Sequence, residues 1–208
     1  VPAQPLPTVT QKQLGKYIVD REIGRGAMGA VYMGYDPATN RHVALKTMSL
    51  ATEFSGNDLI DARSRFLREA EMAGRLDHPD IVATLDAGEI EGLAFIAMEL
   101  VQGTELSHYS SRDQLLPVDT VLAIGARVAD ALAYAHSRGV THRDIKPANI
   151  MVDLNQGAVK LMDFGVARVV DAARTRTGVV LGTPTFMSPE QLSGQTIDCL
   201  LYTSDAAD

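Results

Sequence analysis

The 208-residue chain has one cysteine, Cys199, so no disulfide can form within it and a cysteine-ligated zinc site lacks its donors. Without a disulfide framework, the cytosol is the default compartment. Tryptophan is absent. No apolar run approaches the roughly 20 residues of a transmembrane helix; the longer ones, such as "GLAFIAMEL", are short. No secretory signal is visible at the start, and because the first residue is Val1 rather than Met, the native N-terminus is expected upstream. Bases are in deficit, with 19 Lys and Arg against 26 Asp and Glu for a net charge of −7. That argues against a general nucleic-acid binder, which needs a basic face for phosphates. What is present, 46% hydrophobic and 22% charged residues, is ordinary globular composition for one large domain or two small lobes.

Residues 1–13, "VPAQPLPTVTQKQ", hold three prolines and no apolar period, and read as a disordered leader or linker. From Tyr17 the runs "YIVDREIG", "AVYMGYD" and "RHVALKTMS" are short and β-rich, separated by turn residues of which "DPATN" is the clearest, and predict an antiparallel meander. Over 58–76 apolar Leu59, Ala62, Phe66, Ala70, Ala73 and Leu76 recur at helical spacing, until "HPD" breaks the pattern. Strands are expected near "IVATLDAGEI" and "LAFIAMEL", then a linker "VQGTEL". A long apolar helix is expected from Pro117 to Arg138, capped by Gly139. Strands in "NIMVDL" and "AVKLMDFG" flank an Asn–Gln–Gly turn. The pattern is a strand-rich half with one helix, then a helical half, with a hinge near 99–104 and a cleft between lobes as a place for a ligand.

Several motifs carry chemistry. "IGRGAMGAVY" places Gly24, Gly26 and Gly29 ahead of Val31, and a glycine-rich backbone can approach and bind phosphates closely. A strand follows it rather than a helix, which disfavours a dinucleotide-binding fold. Lys46, in the apolar run "VALK", needs a carboxylate partner if buried, and Glu69 on the predicted helix could supply one; a solvent-facing strand lysine is the plain alternative. In "VTHRDIKPANIMV", Asp144, Lys146 and Asn149 bring a carboxylate, a cation and an amide into one short loop. That set suits phosphoryl transfer: a group to orient an attacking hydroxyl, a charge for the phosphate and an oxygen ligand for Mg²⁺. Asp163 in "DFG" ends a strand beside a glycine and is a good ligand for a hard cation.

In order, GxGxxGxV, VALK, a helix glutamate, HRDxKxxN, DFG and "SPE" at Ser188–Glu190 resemble the eukaryotic-like protein kinase superfamily over about residues 17–198. "HRDIKPAN" and "GTPTFMSPE" are similar to the serine/threonine class, and the Ala-rich style to its bacterial members. The resemblance implies an α+β, bilobal fold: an N-lobe over 14–98, the hinge over 99–104 and a partial C-lobe over 105–198. It implies a non-specific serine/threonine protein kinase that uses ATP with Mg²⁺ or Mn²⁺ on Ser and Thr of protein substrates.

On that resemblance, Gly24, Gly26 and Gly29 cover the ATP phosphates, and Lys46 holds the α- and β-phosphates while pairing with Glu69. Asp144 is the catalytic base, Lys146 the γ-phosphate partner, and Asn149 and Asp163 the metal ligands. Val31, Ala44 and Met151 sandwich adenine, backbone groups of Glu99 and Val101 bond its edge, and Met98 is the gatekeeper. His142 supports the loop internally. Thr175 and Thr177 are expected phosphorylation sites, read by Arg143, with trans-autophosphorylation in a kinase–kinase dimer as the switch; Thr183 shapes the substrate pocket. Two departures are mild: "SPE" stands for the commoner "APE", and Thr141 takes a usually aliphatic place.

The final "CLLYTSDAAD", 199–208, resembles read-through translation of a sequencing adapter, so the gene's own sequence is expected to end here near Asp198. The family's C-lobe continues well past this point, and a parent protein could carry a membrane anchor there. The 208-residue chain itself is expected to be weakly stable, with little or no kinase activity. An ATP-binding scaffold without catalysis and a non-functional fragment are the alternatives; intact Lys46, Asp144 and Asp163 count against the first.

Overall fold

A computed structural model of the chain describes residues 13–26, 29–164 and 186. It falls into two compact units: 1–74 with 83–101, and 75–82 with 102–208. Residues 1–12 of the leader, Gly165, Thr175, Thr177, Thr183, the SPE motif and the 199–208 tail lie outside the described residues; Gln13, the last residue of the expected leader, belongs instead to a strand and pairs with Ile18.

The first unit is built on a six-stranded antiparallel sheet. Its strands are β1 (Gln13–Leu14), β2 (Tyr17–Gly26), β3 (Gly29–Asp36), β4 (Arg41–Ser49), β5 (Thr84–Ile90) and β6 (Leu93–Glu99), in the order β1-β2-β3-β4-β6-β5. The expected meander is present, with the "DPATN" turn held by Asp36, whose Oδ1 accepts the Ala38 N–H at 2.9 Å. A short helix α1 (Leu50–Glu53) and the long helix α2 (Gly56–Gly74) make the crossover from β4 to β5. Helix α2 begins two residues before the periodic stretch and stops before Leu76; it buries Ala62, Phe66, Ala70 and Ala73.

Alternation divides the sheet into two faces. On one, Leu14, Tyr17, Ala30, Tyr32, Val43, Leu45, Phe95 and Ala97 form a closed core. The other face takes the intervening residues: Val31 opposes Lys46, Met33 opposes Ala44, Ala44 opposes Met98 and Lys46 opposes Ile96. Directly paired residues share a face, so Val31, Ala44, Lys46 and Met98 stand together on the side away from the closed core.

The second unit holds a three-stranded antiparallel sheet, β7 (Thr104–Glu105), β8 (Ile150–Asp153) and β9 (Ala158–Leu161), in sequence order. "VQGTEL" is therefore more than a linker: Thr104 and Glu105 pair with Val152 and Met151, and a short 3-10 helix follows at Leu106–Ser110. Gly103 admits this pairing. Its φ is +147°, and a Cβ there would lie 2.7 Å from the Val152 carbonyl oxygen.

Helix α3 (Val118–Ser137) buries Ile124, Val128, Ala131 and Ala135. It ends as its sequence predicts. Gly139 has φ +74°, its N–H donates to His136 O at 2.9 Å, and Val140 N–H donates to Ala135 O at 3.0 Å. These two bonds make a Schellman cap, a reversal that only glycine enters without steric cost. The cap delivers Val140, 5% exposed, into the core, and the polar loop starts from that anchor.

Segment 75–82, expected to do no more than end the helix, packs within the second unit. Ile81 bridges Leu161 in parallel, with Leu161 N–H to Asp80 O at 2.8 Å and Val82 N–H to Leu161 O at 3.0 Å. Buried Asp80 receives the Arg127 guanidinium through both carboxylate oxygens, the Nε contact being 2.9 Å, and Arg127 also donates to the Gly157 carbonyl. One side chain from α3 thus holds both the added segment and the β8–β9 turn.

Candidate active site

The polar loop between α3 and β8 organises around His142, which is 1% exposed. Its Nε2 lies 2.6 Å from the Met162 carbonyl oxygen, and its Nδ1 lies 3.3 Å from the Asp144 backbone nitrogen. A carbonyl can only accept and an N–H can only donate, so the ring is the neutral tautomer with hydrogen on Nε2. Burial pushes its pKa down, against the opposing pull of the Met162 carbonyl. The Phe164 ring of "DFG" meets it edge-on at 4.6 Å between centroids. His142 therefore ties the HRD loop to the DFG segment.

Asp144 is the centre of the polar set. Its Oδ2 accepts Lys146 Nζ at 2.8 Å and Asn149 Nδ2 at 2.9 Å, and its backbone carbonyl accepts the same Asn149 amide at 2.7 Å. Two donors on Oδ2 fix the carboxylate plane and leave Oδ1 as the oxygen available for a proton. Lys146 and Asp144 keep partial exposure, 23% and 31% of their side chains, so the pair can meet a ligand. Asn149 is 5% exposed at the end of a 3-10 turn, Pro147–Asn149. Because its amide nitrogen is committed to Asp144, its amide oxygen points away from that carboxylate.

The loop is joined to β9 by Met162 N–H donating to Asn149 O at 2.9 Å. Asp163 follows directly. Both Arg143 (φ +69°) and Asp163 (φ +67°) adopt the left-handed backbone region, unusual away from glycine and costly unless surroundings enforce it. Such strain beside a carboxylate–lysine–amide cluster marks a functional loop.

An amide oxygen and a carboxylate suit a magnesium ion, which takes one or two protein oxygens and completes its shell with water and phosphate. Among the described residues no cluster of three or more His, Cys, Asp or Glu could hold a metal by itself. Asn149 and Asp163 thus fit a metal that arrives with phosphate better than a closed structural site.

In the first unit, Val31, Ala44, Met98 and Lys46 lie on one sheet face; Met151 lies on β8. Glu99 is partly spoken for: its N–H donates to Ala83 O at 3.0 Å, and its Oε1 accepts the Ala83 N–H at 3.0 Å. Of the three motif glycines, Gly29 has a packing reason as well, since a Cβ there would overlap the Thr47 carbonyl. Around Gly26 there is open space. Sequence reading missed Asp80, Arg127 and Gly103; a lone Asp in a helix-breaking "HPD" carries no visible partner.

A family model for the protein kinase domain matches residues 17–201. The chain belongs to the protein kinase domain family. It is 44% identical over 186 residues to serine/threonine-protein kinase PknJ of Mycobacterium tuberculosis, covering 88% of this chain and 31% of that protein. It is 42% identical over 194 residues to serine/threonine-protein kinase pkn3 of Myxococcus xanthus, covering 88% and 34%. Among solved structures, the M. tuberculosis PknI kinase domain superposes with a TM-score of 0.73 at 35% identity, covering 91% of this chain and 70% of that one. The chain thus spans about a third of the length of these curated relatives. No helix among the described residues is long and apolar enough to cross a membrane.

Proposed function

We propose that the protein transfers the γ-phosphate of ATP to serine and threonine hydroxyls of protein substrates. The observation that carries this reading is the single carboxylate of Asp144 held by Lys146 and Asn149 on one oxygen. Asp144 Oδ1 accepts the proton of the substrate hydroxyl as the hydroxyl oxygen attacks the γ-phosphorus and the bond to the β–γ bridging oxygen breaks, releasing ADP. Lys146, beside it, offsets negative charge on the transferring phosphate. Asn149 Oδ1 and the Asp163 carboxylate hold Mg²⁺ or Mn²⁺, and bound Mg-ATP supplies the phosphoryl group together with a cation that draws charge from its oxygens. Lys46 binds the α- and β-phosphates and pairs with Glu69. Gly24, Gly26 and Gly29 cover the phosphates, Val31 and Ala44 pack on adenine, backbone groups of Glu99 and Val101 bond its edge, and Met98 is the gatekeeper.

Regulation belongs to the same reading. Thr175 and Thr177 take phosphate from a second copy of the kinase, and Arg143, held at positive φ next to Asp144, receives it. A Thr175→Ala/Thr177→Ala variant of the protein made from its complete gene should lose most activity; full activity would refute this switch.

The function itself is tested with that protein, radiolabelled ATP and a basic protein substrate. Phosphoserine and phosphothreonine should form in a Mg²⁺-dependent manner and vanish in Asp144→Asn. ATP binding with no phosphoryl transfer would point to a nucleotide-binding scaffold instead.

A further inference from the structure

Two of the contacts between α2 and the sheet have a spacing that shows how the helix lies along the strands. Just before the middle of α2, Arg63 pairs with Glu89 of β5 at 2.6 Å. At its end, the side of Gly74 where a Cβ would project faces the Thr84 carbonyl, at 3.8 Å from that Cβ position. Glu89 opposes Ala94 on β6, and Thr84 opposes Met98. The helix segment from Arg63 to Gly74 therefore runs past the β6 segment from Ala94 to Met98.

Glu69 lies six residues beyond Arg63 and Gly74 lies eleven beyond it, so Glu69 falls just past the midpoint. The midpoint of Ala94–Met98 is Ile96, and Ile96 is the cross-strand partner of Lys46. The two contacts thus bring Glu69 to the rung of Lys46. Rise per residue agrees: six helical residues cover about 9 Å, against about 7 Å for two strand residues.

The Gly74 contact is backbone packing and adjusts little. The Arg63 contact is the one a side chain sets. It is also held on one side: the Arg63 side chain is 40% exposed, but its Nε is buried against protein with no hydrogen-bond partner. Glu89 shares this face of the sheet, since it opposes Ala94, which alternates with Ile96 and Met98.

We infer that the Arg63–Glu89 pair is a positioning device that sets the register of α2 over the sheet and so presents Glu69 to Lys46. This rests on the Lys46–Glu69 pairing proposed above. Arg63 touches neither nucleotide nor phosphate and acts only through the helix.

The test uses the protein from its complete gene. Arg63→Ala should weaken binding of a non-hydrolysable ATP analogue about two- to fivefold, the upper part of the range for losing a partly exposed pair. It should also speed amide hydrogen exchange across Phe66–Ala73 in the nucleotide-free protein. The charge swap Arg63→Glu/Glu89→Arg should restore both. In a Glu69→Ala background, Arg63→Ala should weaken nucleotide binding no further, whereas a merely stabilising role would act equally in both backgrounds. Equal loss in the two backgrounds overturns the inference, as do unchanged exchange and affinity in Arg63→Ala. A Glu69→Ala variant that binds like the wild type overturns the site reading and this inference with it; a weakened Glu69→Ala beside an unaffected Arg63→Ala overturns this inference alone.

Discussion

His142 Nε2 and the Met162 carbonyl oxygen meet at 2.6 Å inside the second unit, and this bond couples the loop that carries Asp144 to the strand end that carries Asp163. The ring can make it only as a neutral donor, because its other nitrogen already accepts from the Asp144 backbone.

A pH dependence follows. Burial depresses the His142 pKa in the folded state, so the unfolded chain takes up a proton first as pH falls. Stability is unaffected well above the ordinary imidazole value of about 6.5 and declines below it, by at most about 1.4 kcal/mol per pH unit, until the folded pKa is reached. Urea unfolding between pH 7.5 and 5 measures this slope. A His142→Leu variant should lose that component.

Asp144→Asn should lower turnover by about 10²–10⁴-fold, the usual worth of a positioned general base. Affinity for a non-hydrolysable ATP analogue should change little, since the substitution keeps the shape of the side chain. A parallel collapse of nucleotide binding would mean that Asp144 acts on the loop structure instead.

Asn149→Ala removes both the amide that steers Asp144 and the oxygen offered to metal. The magnesium concentration for half-maximal activity should rise roughly ten- to a hundredfold. Titrating Mg²⁺ at saturating ATP reads this directly, and an unchanged requirement would remove Asn149 from the metal site.

Two of the motif glycines should separate by mechanism. Gly29→Ala drives a methyl into the Thr47 carbonyl and should cost about 1–3 kcal/mol of stability. Gly26→Ala meets open space and should stay within about 0.5 kcal/mol. Any loss of ATP affinity in Gly26→Ala then reports crowding of the nucleotide. Chemical denaturation beside nucleotide titration distinguishes the two.

Much of the fold was legible in the chain because its signals are local. The apolar spacing of Ala62, Phe66, Ala70 and Ala73 marks α2, and all four are buried on it. Gly139 closes α3 where its neighbours predict. Other features were not legible because their partners lie far away in sequence. Asp80 reads as part of a helix breaker until Arg127, 47 residues on, takes its carboxylate. Gly103 reads as a linker residue until β8 passes within 2.7 Å of where its Cβ would be.

By itself the sequence determined which chemical groups are present and in what order: glycines before a strand, a lysine, a helix glutamate, the Asp144–Lys146–Asn149 set and Asp163. Those are properties of residue type and spacing, and they suffice to mark the family. Only the tertiary structure decided which tautomer His142 adopts, which oxygen of Asp144 is held, and why segment 75–82 serves the second unit. Each depends on contacts between residues distant in the chain, and neither periodicity nor a motif encodes a distance across the fold.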